Sequence, residues 1–260
     1  MQLETDKFVR RERVDILLVK LGYFESRSLA QKAILSGKVR VGRDHLVHKC
    51  GEIWESTTKF NIAEFQTYVS RGAYKLKGIL NDVANLPTNF VAVDVGASTG
   101  GFTQILLEAG ASRIYAIDVG YGQLHYKLRK NPKVICLEKV NARYLESHHV
   151  PEMVDVATVD VSFISLTKIL PRLNLFLKKN ALVFFLIKPQ FEAHPSEVGK
   201  GGIIKDNQIR LRVRQRIIEF VEKKINWRRI DIRRSPILGT KGNIEYICVY
   251  YVRNEINRGN

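Results

Sequence analysis

Asp94-Val95-Gly96-Ala97-Ser98-Thr99-Gly100-Gly101-Phe102-Thr103 decides the fold. It closes an apolar run at residues 90–95 that reads as a buried strand. It opens residues 103–109, which read as a helix. A glycine-rich turn between a buried strand and a helix lets the backbone approach a ligand closely. Outward from this turn, further apolar runs predict strands at 113–118, 134–137, 154–159 and 182–187, then at 230–232 and 244–251. Helical stretches fall among them, at 166–177 and 207–225. Strand–helix alternation predicts an α/β domain with a mostly parallel sheet and helices on both faces.

The second of these strands ends at Asp118. An acidic group about twenty residues past such a turn hydrogen-bonds ribose hydroxyls. A nucleoside is therefore the expected ligand. Three readings stay open at this point: S-adenosyl-L-methionine, a dinucleotide, or a turn with no ligand. The spacing is Gly-x-x-x-Gly-Gly, without the middle glycine of the pyrophosphate fingerprint. Asp94 would repel a phosphate but suits an ammonium or a sulfonium. The ordered trio of Asp94, the turn and Asp118 favours adenosylmethionine.

The chain has 260 residues, with 42 Lys plus Arg against 26 Asp plus Glu, a net charge of +16. That balance favours a polyanionic partner, nucleic acid above all. A merely solvated basic surface is the plain alternative. Most of the surplus lies beyond residue 64, interleaved with Ile, Leu, Val and Phe, which describes a folded basic face. A hydrophobic content of 45% excludes wholesale disorder. Cys50, Cys136 and Cys248 are far apart and form no CxxC, which argues against a disulfide scaffold or a cysteine-rich zinc site. The six histidines show no metal-ligand spacing. The apolar run at 181–187 is too short to span a bilayer, and the charged N-terminus lacks a signal-peptide core. A cytoplasmic protein with no metal and no membrane is expected.

The first sixty residues predict two helices and short strands. One helical pattern starts at Val14 and ends at Gly22. The second starts at Ser26, a plausible N-cap, and stops at Gly37. Lys38-Val39-Arg40-Val41 alternates as a strand before a turn at Gly42 and Asp44. Arg13-x-Asp15, Ser26-Arg27-x-x-Ala30, Ile34, Gly37 and Val39-x-Val41 resemble the small RNA-binding domain first described in a small-subunit ribosomal protein, the S-four-type domain. Cys50 stands where that family commonly has proline. The resemblance implies that Arg27, Lys32, Lys38 and Arg40 grip RNA phosphates, contacts that position without reading sequence. A helical cap with incidental charges is the alternative. The expected layout is an RNA-binding domain at 1–64, a linker at 65–69 and a catalytic domain at 70–260.

Five further segments are distinctive: Ser70-Arg71-Gly72-Ala73-Tyr74-Lys75-Leu76, the glycine turn, Val159-Asp160-Val161-Ser162-Phe163, Lys188-Pro189-Gln190-Phe191-Glu192, and Gly242-Asn243-Ile244-Glu245-Tyr246. Ligands of open α/β sheets bind outside the carboxyl ends of the strands. Asp160 and Lys188 end strands, and an antiparallel last strand would bring Glu245 to the same edge. With these motifs the chain resembles the TlyA-type haemolysin/ribosomal RNA 2′-O-methyltransferases, whose catalytic domain is of the FtsJ-like class. The resemblance implies a Rossmann-like class I methyltransferase behind a small α+β RNA-binding domain. It implies a catalytic tetrad at Lys75, Asp160, Lys188 and Glu245. Cofactor contacts are implied from Asp94, Gly96, Ser98, Gly100, Gly101, Phe102, Thr103, Asp118, Val119, Asn141 and Asp160, and an RNA contact from Arg71. The implied partner is ribosomal RNA in ribosomal subunits, methylated on cytidine ribose in 16S and/or 23S rRNA.

The chemistry suits those residue types. A ribose 2′-hydroxyl is a poor nucleophile and needs a base or a positive field. A neighbouring cation and partial burial loosen a lysine's hold on its proton. Taken singly, each tetrad member also has a plain reading: a solvated helix face for Lys75, a strand-end cap for Asp160, a surface turn for Lys188, and a cross-strand pair for Glu245. Tyr121, His125 and Tyr126 are open between the cofactor edge and core packing. The Arg210, Arg212, Arg214, Arg216 row is open between RNA contact and solvation. Rival functions are a membrane-active haemolysin, which the absence of a secretion signal and of a spanning segment counts against, and a non-catalytic ribosome-binding factor.

Overall fold

The computed structural model describes residues 9–42, 45–63, 68–82 and 86–253. The chain divides into two compact units, Met1–Thr67 and Tyr68–Asn260. The expected linker at 65–69 and the turn residue Asp44 fall largely outside the described residues.

In the first unit, β1 (Arg11–Arg13) runs into α1 (Val14–Lys20), followed by α2 (Arg27–Leu35), β2 (Val39–Val41), β3 (His45–Leu46), β4 (Ile53–Glu55) and β5 (Phe60–Ile62). Antiparallel pairing joins β1 to β4, and β2 lies between β3 and β5. Ser26 caps α2 as expected: its hydroxyl accepts from the Leu29 amide at 3.3 Å. Gly37, at φ +67°, ends that helix in the left-handed region. Val14, Leu17, Leu18, Ala30, Ala33, Ile34, Val39 and Phe60 form the core. The β1–β4 pair has too few apolar residues in alternation to be read from sequence.

The second unit begins with α3 (Ala73–Asp82). Then come β6 (Val91–Val95), α4 (Gly101–Glu108), β7 (Arg113–Ile117), α5 (Tyr126–Arg129), β8 (Val134–Leu137), β9 (Val154–Val159), α6 (Leu166–Leu173), β10 (Leu177–Ile187), α7 (Pro189–Glu192), α8 (Asn207–Glu219), β11 (Trp227–Arg234) and β12 (Tyr246–Val252). One sheet holds seven strands in the order β11-β12-β10-β9-β6-β7-β8. From β10 to β8 every pairing is parallel. The antiparallel β12 inserts between β10 and β11, with Tyr246 opposite Ile187. This is the mostly parallel α/β architecture that strand–helix alternation predicts. The chain order reverses beside β6, whose neighbours are β7 and β9, so the switch point lies where the glycine turn leaves the sheet. Two apolar layers flank the sheet, one under α6 and α8, the other under α3 and α4.

Three boundaries differ from the sequence expectation. The helix expected to reach residue 177 ends at Leu173, with Pro171 in its last turn. Phe176 and Leu177 are instead buried, and Leu177 already pairs with Val154 as the first residue of β10. The strand expected at 230–232 spans Trp227–Arg234. Its arginine-rich, half-exposed sequence hides the period, and at the sheet edge charged side chains blunt unwanted strand pairing. Helix α8 closes at Glu219 and passes into a π-helical turn over Phe220–Ile225.

Candidate active site

The glycine turn is built by close approach. Gly96 sits at φ +82°, and its amide donates to the Ile117 carbonyl at 2.8 Å. A Cβ placed there would lie 2.6 Å from the Asp160 carbonyl oxygen, so no side chain fits between the ends of β6 and β9. A Cβ at Gly101 would lie 2.3 Å from the Ser70 Oγ, which lets the first turn of α4 press against the segment that leads into α3. Gly100, at φ +96°, caps α4. Asp118 accepts from the Ser98 amide at 2.8 Å and from the Gly120 amide at 2.7 Å. Its carboxylate thereby ties the turn to the end of β7 and keeps further lone pairs for hydroxyl donors.

Two cavities meet on this turn. The larger, about 470 Å³, is lined by Gly96, Ser98, Asp118, Val119, Asn141 and Asp160, with an apolar wall from Val140, Ile164 and Ile169. The smaller, about 250 Å³, is lined by Lys75, Gly96, Ser98, Gly101, Phe102, Asp160 and Lys188. Gly96, Ser98, Asp160 and Ser162 border both.

Lys75, Asp160 and Lys188 line the smaller cavity, and Glu245 joins them through Lys75. The Lys75 Nζ donates to the Glu245 Oε2 at 2.6 Å and lies 3.8 Å from an Asp160 oxygen. The Lys188 Nζ lies 2.5 Å from the other Asp160 oxygen and donates to the Ser162 Oγ at 3.0 Å. Gln190 holds the second Glu245 oxygen at 3.3 Å. Lys75, Lys188 and Glu245 are buried, so two ammonium groups and two carboxylates neutralise one another in a low-dielectric pocket. Asp160 is the hinge of the set, bridging both lysines. A third depression, lined by Arg71, Gly72, Lys75, Leu238, Gly239, Thr240 and Lys241, reaches Lys75 from another side.

Several expected residues are placed differently. Asp94 is fully buried and borders neither cavity. Its oxygens accept from the Thr103 hydroxyl at 2.6 Å and the Thr158 hydroxyl at 2.8 Å, so it faces the packed layer under α4. Thr103 is spent on the same bond, and Gly100 works as a cap. Burial pushes the Asp94 carboxyl up to about 6, helped by the nearby Asp160 charge and opposed by the threonine hydroxyls. Arg27 is half-tied: its Nε donates to the buried Asp15 at 2.8 Å. Lys32, Arg40 and Arg71 are exposed, and Lys38 is partly so. The α8 arginines each have a protein partner, while Arg212 and Arg216 also remain exposed. Arg210 holds the Ile204 and Lys205 carbonyls, Arg212 pairs with Glu197, Arg214 lies over the Tyr246 ring, and Arg216 pairs with Glu192. Tyr121 and Tyr126 face solvent and line neither cavity, nor does His125. Sequence reasoning missed Ser70, Ser162, Gln190 and Thr240 as site residues. Their only signal was adjacency to motif residues.

Asp94 carries a pH prediction. Its carboxyl is raised from 3.8 to about 6 in the fold, so its stabilising contribution is complete below pH 4 and is lost as pH rises through 6. The linkage is about 3 kcal/mol. Asp94→Asn should remove that slope. Denaturant titrations at pH 4 and pH 8, followed by the buried Trp227, check it: the variant gains on the wild type only at the higher pH.

Comparisons with known proteins show the family. The FtsJ-like methyltransferase model matches residues 68–251, and the S4 domain model matches residues 12–43. The 16S/23S rRNA (cytidine-2′-O)-methyltransferase TlyA of Mycobacterium tuberculosis is 38% identical over 96% of this chain and 92% of that protein. Hemolysin A of Brachyspira hyodysenteriae is 40% identical over 92% of this chain and 100% of that protein. A solved structure described as a hemolysin, from Streptococcus thermophilus, superimposes with a TM-score of 0.70 at 36% identity, covering 94% of this chain and 90% of that one.

Proposed function

Since the chain belongs to the TlyA-type branch of the FtsJ-like methyltransferases, with an S4 domain ahead of the catalytic unit, we propose that it methylates a ribose 2′-hydroxyl of ribosomal RNA, on cytidine in 16S and/or 23S rRNA, in the cytoplasm. The observation that carries this reading is the meeting of Lys75, Asp160, Lys188 and Glu245 at the mouth of a nucleoside-sized groove.

The larger cavity fits S-adenosyl-L-methionine. Asp118 offers acceptors to ribose hydroxyls, and the amide of Asn141, whose oxygen already accepts from the Arg143 amide, offers a donor to an adenine edge. Val119, Val140, Ile164 and Ile169 supply an apolar wall for a base. When bound, this cofactor supplies a methyl group activated by a sulfonium, so no metal is required by the chemistry. Gly96 and Gly101 allow the backbone to come close without a side chain between.

Lys75 and Lys188 set a positive field where the attacking oxygen gathers negative charge. A lysine that has first released its own proton to solvent presents a neutral amine, and this amine takes the hydroxyl proton as the oxygen attacks the methyl carbon; general-base help of this kind contributes roughly 10²–10⁴-fold. Asp160 and Glu245 hold both amines in place and keep the site near neutral. Holding the reacting groups in line contributes about 7–11 kcal/mol more in favourable cases. Arg71 and Lys241, on the rim of the third depression, are placed to meet phosphates flanking the target nucleotide. The S4 unit adds sequence-independent RNA affinity through Lys32, Lys38, Arg40 and the free edge of Arg27.

The test is transfer of labelled methyl from adenosylmethionine to isolated 30S and 50S subunits, with ribose methylation mapped on both rRNAs. Adenosylmethionine binding without transfer would leave a ribosome-binding factor, and lysis by the purified protein without cofactor would point to the haemolysin. Gly96→Ala should weaken adenosylmethionine at least tenfold in calorimetric titration. The new Cβ is strained at positive φ and pushes on Asp160.

A further inference from the structure

Lys188 and Asp160 leave the sheet from different strands, β10 and β9, into different connections. Pairing of β9 with β10 brings their ends side by side, and the 2.5 Å contact further depends on how the connections beyond them are held. The structure shows what holds them. Glu192 ends α7, the single turn that begins just after Lys188, and it is buried at 6% exposure. One of its oxygens accepts from the Leu166 amide at 2.7 Å, and the other from the Ser165 hydroxyl at 2.7 Å. Ser165 and Leu166 open α6, directly beyond the loop that carries Asp160 and Ser162. The carboxylate thus closes the N-terminus of α6, where backbone N–H groups lack helical partners and the helix dipole favours negative charge.

We propose that Glu192 is the positioning residue of the site, the clamp that fixes the Lys188 amine against Asp160 and Ser162. The connections form a closed frame. At one end the Lys188 Nζ meets Asp160 and Ser162. At the other, Glu192 meets Ser165 and Leu166. Between them the rings of Phe163 and Phe191 touch, with centroids 4.7 Å apart. Phe163 sits at φ +62°, a conformation unusual for an aromatic residue, so the loop needs an external restraint to hold it. Arg216 of α8 backs the clamp from outside, 3.6 Å from a Glu192 oxygen and donating to the Glu192 carbonyl. Glu192 touches neither cavity, so it acts only through the groups it places.

The inference rests on the methyl-transfer reading, and the experiment separates the two. Full-length wild type, Glu192→Ala, Glu192→Gln and Ser165→Ala are compared for kcat and KM on ribosomal subunits and for adenosylmethionine Kd. No transfer by wild type would defeat the reading of the reaction and say nothing against the frame. With an active wild type, Glu192→Ala should lose about 100-fold in kcat, while KM and cofactor Kd stay within threefold. Glu192→Gln keeps an acceptor for the Leu166 amide and an amide donor for Ser165, so it should recover kcat to within about fivefold. Should Glu192→Ala fail to fold, Ser165→Ala carries the test, with a three- to tenfold loss confined to kcat. A folded Glu192→Ala with wild-type kcat overturns the proposal. So does a loss that appears in cofactor Kd instead of kcat, or one that Glu192→Gln does not relieve.

Discussion

Lys188→Ala should cut methyl transfer by about 10³–10⁴-fold and leave adenosylmethionine affinity within a few fold of the wild type. The size follows from what the amine holds. Its Nζ lies 2.5 Å from Asp160, whose other cationic neighbour among the described residues is Lys75 at 3.8 Å. Truncation turns a neutral quartet into a site with one excess negative charge, beside the oxygen that must itself become more negative. Loss of general-base help and loss of a preorganised positive field each reach 10²-fold or more in buried sites. Cofactor affinity should survive if, as proposed, the adenosine rests on Asp118, Asn141 and the apolar wall of the larger cavity, whose lining does not include Lys188. Single-turnover transfer to subunits, with cofactor binding measured in parallel, checks both halves. Turnover within tenfold of the wild type would remove Lys188 from the mechanism.

Asp15→Ala should unfold the amino-terminal unit without disabling the larger one. Asp15 is fully buried in the first turn of α1, where it accepts from Arg13 at 3.1 and 3.2 Å, from Arg27 at 2.8 Å and from Gln31 at 2.7 Å. Burial works against this carboxylate, but the three donors outweigh it and hold its carboxyl well below the usual range. Hydrogen bonds to a charged group contribute about 1.5–3 kcal/mol each, and they do not add fully. A loss of about 3 kcal/mol is the reasonable sum. A unit of some sixty residues has little more than that to spare. RNA affinity should therefore collapse, while adenosylmethionine binding by the larger unit persists. Fluorescence of Trp54, which packs against this small core, reports the unfolding, with Trp227 as the control in the other unit. A variant that keeps its Trp54 transition would show that α1 and α2 hold together without the carboxylate.

Asp15 and Asp94 should also respond to acid in opposite senses. Asp15 is lowered in the fold, so its contribution is present above pH 4 and is lost as pH falls. Asp94 is raised, so its contribution appears as pH falls through 6. Between pH 6 and 4 the Asp94 contribution should favour the larger unit while that of Asp15 in the smaller unit stays intact; the smaller unit should weaken only below pH 4.

Much of the architecture was legible because it rests on local patterns. Apolar runs with alternating helices predict a parallel sheet, and the glycine turn with Asp118 predicts the groove at its edge. The antiparallel β12 that carries Glu245 to that edge was inferred from the need to bring a motif residue there, and the strand pairing agrees. Charged residues read less well. Arg27 and the α8 arginines look alike in sequence to any solvated or RNA-facing cation, yet each is engaged by a particular carboxylate, carbonyl or ring. Asp94 looks like a ligand group because it adjoins the turn, and it faces two threonines instead.

Periodicity and composition report which face of an element avoids water, because burial of apolar area is additive and non-directional. They predicted the strand–turn–helix that opens the groove and the basic character that suits RNA. Partner choice among polar groups is directional and short-ranged, and it depends on which strands become neighbours. Only the tertiary structure, through the sheet order that sets β12 beside β10 and β9 beside β6, could decide that Lys75, Asp160, Lys188 and Glu245 form one cluster and that Glu192 holds its frame shut.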